Sequence, residues 1–286
     1  MTDLSEFITP ISDMQAKACF NKLLEFHALE NPGRCMAGMK PLNKLFKEHV
    51  MRCKTKTGLS FADAMSDPEK RQKYEIIRQQ YKRSLYEAFS LWNGCVNMFR
   101  PAVAKWLYKR YNAQVGVLDF SAGWGGRMLG ALVLGIPYIG VETNRNLIEP
   151  YHRLMLDYNP LNVPVSMIWS KAEDADFSTM QYDVVMTSPP YYTLEKYEHM
   201  PVYTSREDFY NAFLIPVITK AWLYLKPNGH MILNMPVELY EAIRTHLPPL
   251  FEVLEYYKAG RHGGIKNGSK KAQSFEHIYV WRKSTC

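Results

Sequence analysis

From Val115 onward the chain alternates short apolar runs with amphipathic stretches, and this alternation limits the available folds more than any other feature. Apolar runs at 115–120, 138–142, 164–169, 182–186 and 229–235 have the length and composition of buried strands. Helical periodicity fills the gaps near 125–135, 145–158 and 206–225. Ser205, with Asp208 three residues later, marks the start of the third of these helices. Alternating strands and helices imply a parallel sheet covered on both faces. After a helix at 237–246, the runs 251–257 and 276–282 predict a closing antiparallel hairpin joined by a long loop.

The first third has a different pattern. A helix is expected over 12–30, stopped by Asn31-Pro32-Gly33, and another from Leu42 to Arg52. A loop at Cys53–Leu59 follows, Ser60 begins a helical stretch, and Pro68 starts a long helix to Ser90. Pro101 sits in the first turn of a helix reaching Tyr111. The division expected is a basic helical extension at 1–96 and a sheet-containing domain at 97–286.

Charge separates along the same lines. Residues 1–112 carry 19 Lys+Arg and 11 Asp+Glu, residues 113–256 carry 9 and 16, and residues 257–286 carry 7 and 1. An acidic middle between basic ends suits a catalytic body with contact surfaces for a polyphosphate. Two solvated basic faces would give the same count. The five cysteines show neither metal spacing nor a disulfide framework, so a reducing, cytoplasmic setting is expected, with no metal. No signal peptide is expected, and the longest apolar stretch, Met128 to Val141, is too short for a membrane span.

Two segments carry chemistry. The first strand ends at Asp119-Phe120 and runs into Ser121-Ala122-Gly123-Trp124-Gly125-Gly126-Arg127, a glycine-rich turn that lets a ligand approach the backbone at a helix start. The second strand ends in Glu142, placed to accept hydrogen bonds from ribose hydroxyls. After the third strand, Lys171-Ala172-Glu173-Asp174 stands where an adenine could be recognised, and the same residues could equally cap the next turn. The second segment is Thr187-Ser188-Pro189-Pro190-Tyr191 at the end of the fourth strand. Its prolines fix φ and remove donors, so the turn offers a hydroxyl, carbonyl oxygens and an aromatic ring to a flat, amine-bearing ligand. A proline-terminated strand with a packed tyrosine has the same local pattern.

Taken in this order, the segments resemble class I S-adenosylmethionine-dependent methyltransferases, and more narrowly the DNA amino-methyltransferases of the N4-cytosine and N6-adenine family. The resemblance covers about residues 97–284 and implies a Rossmann-like seven-stranded sheet, here with a helical N-terminal extension. Asp119 to Gly125 match that family's first motif, with Phe120-Ser121 in place of its Pro-Phe, and Phe99-Arg100-Pro101 resembles its cofactor-side motif. Lys171 stands where many relatives have an acid. The resemblance therefore implies S-adenosylmethionine held by Phe99, Pro101, Asp119, Phe120, Ser121, Ala122, Gly123, Gly125, Glu142, Ala172, Glu173, Asp174 and Thr187. It assigns catalysis to Ser188, Pro189, Pro190 and Tyr191: Ser188 and the Pro189 carbonyl accept from the target amine, and Tyr191 stacks on a base flipped from its helix. Tyr192 and Tyr197 are expected along the same pocket.

In that family a leading Ser is commoner in enzymes acting on N4 of cytosine than on N6 of adenine, so Ser188 implies cytosine in DNA. The alternatives are adenine in DNA, an amine in RNA, and a nucleic-acid-binding protein with a vestigial cofactor site. Only residues 192–204 separate Tyr191 from the next helix, which leaves no room for an inserted recognition domain. Target recognition falls to the extension, to a protein partner, or to the basic loop carrying Lys258, Arg261, His262, Lys266, Lys270 and Lys271. The cluster Lys40, Lys44, Lys47, Arg52, Lys54 and Lys56 is either a contact surface or an ordinary basic helix face.

Overall fold

The computed structural model describes residues 3–192, 199, 201–257 and 275–285. Capping chemistry sets the N-terminal helices. Ser12 closes a capping box with Gln15 to open α1 (Asp13–Glu25), and α2 (Met39–Arg52) follows. Ser60 caps α3 (Phe61–Ser66), and Asp67 with Pro68 opens α4 (Pro68–Tyr81). The long helix expected from Pro68 to Ser90 is two helices. Lys82 ends α4 in the left-handed region at φ 49°, and Ser84 forms a capping box with Glu87 to start α5 (Leu85–Asn93). A Ser-x-x-Glu signal thus overrides a continuous helical pattern. The first helix likewise stops at Glu25 instead of 30. Buried Lys105 donates to the carbonyls of Leu23 at 2.8 Å and Leu24 at 3.0 Å, taking acceptors that a helix end leaves without partners. Pro101 opens α6 (Pro101–Arg110) as expected.

The alternating part begins with β1 (Val117–Asp119), α7 (Gly126–Leu132), β2 (Tyr138–Val141), α8 (Ile148–Tyr158), β3 (Val165–Ile168) and β4 (Val184–Thr187). The helix expected over 206–225 is α9 (Arg206–Phe209) and α10 (Ile215–Tyr224), joined by a π-helical turn at Tyr210–Leu214. Pro216 has no N–H to give and its ring crowds the carbonyl four residues back, so the turn before it widens and Ile215 N bonds to Tyr210 O. The chain continues through β5 (His230–Asn234), α11 (Val237–Ile243), β6 (Glu252–Tyr257) and β7 (Phe275–Arg282).

The seven strands lie in the order β3-β2-β1-β4-β5-β7-β6. The first five are mutually parallel; β7 inserts between β5 and β6 and runs antiparallel to both. This is the expected α/β architecture, a seven-stranded Rossmann-like sheet. Successive strand residues face opposite sides. Val117, Val184 and Ile232 pack under Phe20, Phe46, Leu107, Leu129 and Leu154, whereas Leu118, Val185 and Met231 pack under Phe209, Ile218 and Leu239. Helices α1 and α2 therefore cover the sheet in one layer with α6, α7 and α8. Leu4, Phe61, Tyr74, Ile77 and Phe89 form a separate small core among α3, α4 and α5. Strand order reverses between β1 and β4, the crevice where doubly wound sheets bind ligands. Both chemistry-bearing turns open there.

Candidate active site

The turn after β1 is built on a buried ion pair. Asp119 is fully buried and accepts from Arg127 Nε at 2.6 Å and from the Tyr138 hydroxyl at 2.6 Å. Arg127, 5% exposed, also donates to the Ser121 carbonyl, so the guanidinium ties the strand end to the loop. Burial disfavours its charge, but Asp119 beside it more than compensates and holds the guanidinium firmly protonated. Tyr151 clamps the same loop, donating to Gly123 O at 3.2 Å and accepting from Gly125 N at 3.1 Å. Gly125 has φ 72° and its missing Cβ would lie 2.7 Å from Leu154 Cδ2. A Cβ on Gly126 would lie 1.9 Å from the Phe99 carbonyl, so α7 seats directly on the segment that leads into α6.

Glu142 closes one end of the loop. Its Oε2 accepts from Gly123 N at 2.9 Å and its Oε1 from Asn144 N at 2.9 Å. Each oxygen keeps a lone pair for a further donor, as a ribose diol would supply. Burial pushes this carboxyl above the ordinary range, partly offset by those backbone N–H groups. After β3, Glu173 accepts from the Tyr203 hydroxyl at 3.0 Å, and Lys220 Nζ donates to the carbonyls of Ala172, Glu173 and Ala175 at 2.6–3.0 Å. One lysine thereby fixes the backbone of the segment expected to recognise adenine.

At the end of β4, Ser188 Oγ donates to Asn234 Oδ1 at 3.2 Å and accepts from Arg127 NH1 at 3.3 Å. Asn234, at the end of the neighbouring β5, donates Nδ2 to the His277 carbonyl at 3.1 Å, which orients its Oδ1 towards Ser188. A hydroxyl has one proton and two lone pairs. The proton and one pair are committed, so Ser188 is held as an acceptor with one pair to offer. The Tyr191 hydroxyl donates to Asn234 O at 3.3 Å, fastening the aromatic ring against the same strand end.

These groups share one cavity of about 510 Å³. Its wall includes Phe99, Phe120, Ser121, Ala122, Gly123, Glu142, Ala172, Glu173, Ser188, Pro189, Pro190 and Tyr191, all anticipated from the sequence. Six anticipated residues lie off that wall. Pro101 opens α6, Asp119 is buried beneath the loop, Gly125 packs on Leu154, and Asp174 is exposed. Thr187 is fully buried in β4, its hydroxyl without a hydrogen-bond partner, and Tyr192 turns its ring to Phe209, 5.8 Å away. Tyr197, Lys258, Arg261, His262, Lys266, Lys270 and Lys271 lie outside the described residues. Sequence reasoning missed Arg127 and Asn234 in the network and Tyr203 and Trp124 on the wall. Arg127 carried a signal: an arginine in the first turn of a buried helix needs an acid, and Asp119 stands eight residues before it.

Among the described residues no group of three or more His, Cys, Asp or Glu is placed to hold a metal ion, and no helix is long and apolar enough to cross a membrane.

No protein-family model matches the chain, and no curated protein matches it in sequence. Solved structures do resemble it. It is similar to TrmN from Thermus thermophilus, at 16% identity and a TM-score of 0.46 over 64% of this chain and 48% of that one. It is similar to an S-adenosylmethionine-dependent methyltransferase from Agrobacterium tumefaciens, at 15% identity and a TM-score of 0.48 over 67% of this chain and 64% of that one. A third is the 1,6-didemethyltoxoflavin-N1-methyltransferase of Burkholderia thailandensis, solved with S-adenosylhomocysteine, at 14% identity and a TM-score of 0.44 over 75% and 90% of the two chains.

Proposed function

We propose that the protein is a methyltransferase that carries a methyl group from S-adenosylmethionine to an exocyclic amine of a nucleic-acid base, with N4 of cytosine in DNA as the target. The observation that carries this proposal is the hydroxyl of Ser188, locked as an acceptor by Arg127 and Asn234 on the wall of the cavity that also holds Glu142 and the glycine turn. Such an amine is a poor nucleophile because its lone pair is delocalised into the ring. Ser188 Oγ and the Pro189 carbonyl, accepting its two protons, draw the nitrogen towards tetrahedral geometry and free the pair for attack. Tyr191 stacks on the base and holds its plane while those bonds form. Bound S-adenosylmethionine supplies the electrophilic methyl. Glu142 takes the ribose hydroxyls, and the Gly123 backbone, at φ 61°, lets the cofactor approach the end of β1. No covalent enzyme intermediate is needed: the nitrogen attacks the methyl as its bond to the cofactor sulfur breaks, and the amine then loses one of its two protons to solvent.

The experiment is transfer of labelled methyl from S-adenosylmethionine to duplex DNA, single-stranded DNA and RNA, with nucleosides identified by mass spectrometry. N4-methylcytosine in DNA is the expected product. N6-methyladenine would keep the mechanism and change the base, and labelled RNA would change the polymer. Cofactor binding without labelling of any polymer would refute transfer to nucleic acid.

A further inference from the structure

A large part of the cavity wall takes no part in the chemistry above. It is formed by α2, the loop after it and the segment leading into α6, and includes Asn43, Lys47, Lys56 and Asn97. Among the described residues its charged groups are all cations, Lys47, Lys56 and the buried Arg100, whereas the carboxylates on the wall, Glu142 and Glu173, belong to the loops after β2 and β3. The structure also sorts the basic cluster noted in the sequence. Lys44 pairs with Asp13 and Arg52 with Glu48, while Lys40 and Lys54 lie off the wall. Only Lys47 and Lys56 of that cluster line it. Lys47 is half-buried, its ammonium 3.7 Å from the centre of the Tyr86 ring, which fixes the side chain in place. Lys56 is exposed although it lines the cavity, so it stands at the mouth.

We propose that Lys56 and Lys47 form a subsite for a phosphodiester group of the nucleic-acid substrate, adjoining the target base. The inference rests on the proposed transfer to nucleic acid. A base that reaches Ser188 trails its sugar-phosphate chain out through the entrance, and an exposed cation there meets a phosphate without reading sequence. The buried cations on the wall are engaged within the fold, Arg100 by the Gly33 carbonyl and Arg127 by Asp119, whereas the exposed Lys56 meets a group that arrives from solvent.

The test measures binding of fluorescent DNA and RNA oligonucleotides by anisotropy across a salt titration, beside calorimetry of S-adenosylhomocysteine. The variants are Lys56→Glu, Lys47→Ala, the double change, and Lys54→Ala as an exposed charge off the wall. The double variant is expected to lose about tenfold or more in oligonucleotide affinity, with the salt slope reduced by about one per lysine. Lys54→Ala and the cofactor affinities stay within about twofold of the unaltered chain. Equal losses in Lys54→Ala would mean diffuse charge and overturn the subsite. Loss of cofactor affinity instead would reassign these lysines to the cofactor. An unchanged double variant would also refute it. Absence of oligonucleotide binding by the unaltered chain, with cofactor bound, would remove the nucleic-acid substrate itself and this subsite with it; absence of methyl transfer despite specific binding would strike only the proposed reaction.

Discussion

At the residue scale, the cavity depends on groups that the protein must hold in one protonation or donor state. Ser188→Ala removes the acceptor, and transfer is expected to fall about 10²-fold while S-adenosylhomocysteine affinity is kept, measured by single-turnover kinetics and calorimetry. Asn234→Ala frees the Ser188 proton to point at the amine and should lower kcat about tenfold; Asn234→Asp restores the acceptor and should recover part of it. Glu142 gives a pH signature. Its carboxyl titrates above the ordinary range in the fold, so the unliganded protein loses stability as pH rises from the ordinary carboxylate range to that raised value. Ribose hydroxyls donate to the ionised form, so cofactor affinity is expected to weaken as pH falls below the raised value. A pH series of dissociation constants checks this, and Glu142→Gln should flatten it.

At the element scale, lysines whose ammonium groups collect backbone carbonyls hold loops and helix ends that local sequence leaves open. Lys220 binds three carbonyls of the segment after β3, and Lys283 binds those of Trp222, Leu223 and Leu225 at the end of α10. Lys220→Met keeps the stem over Phe177 and removes the donors. It should cost about 2 kcal/mol in denaturant unfolding and weaken cofactor binding, because the Ala172–Glu173 backbone is no longer fixed. Loss of stability with cofactor affinity intact would show that the segment is set by packing alone. The Ser205 cap was legible in sequence, whereas the capping boxes at Ser12 and Ser84 entered only with the structure, the second by breaking a helical pattern that runs on through it. The end of α1 was not legible either, because Lys105 reaches it from 82 residues away.

At the scale of the whole molecule, α1 and α2 are continuous with the sheet's own core. Phe20, Leu23, Leu42 and Phe46 are buried in one cluster with Leu129, Tyr151 and Leu154. Deleting residues 1–53 would uncover that face, so the remainder is expected to lose cooperative thermal unfolding and to expose apolar surface to a hydrophobic dye. A soluble remainder with a sharp transition would show that the sheet domain stands alone. The composition shift near Val115 marks where strands begin, and it runs through a single packed layer.

The chain's order of strands and helices, its closing hairpin, its glycine turn and its Ser-Pro-Pro-Tyr turn were all determined by local sequence, because hydrophobic periodicity and backbone restriction act over a few neighbouring residues. What those turns became was decided by the tertiary structure. Arg127 meets Ser188 across 61 residues, and Ser188 meets Asn234 across 46, because the parallel register sets the ends of β4 and β5 side by side and the switch in strand order sets β1 beside them. The same packing brings α2 over the crevice and makes Lys47 part of the cavity wall. A buried charge or hydroxyl takes its partner from whichever element folding brings within about 3 Å, and spacing along the chain does not encode that choice.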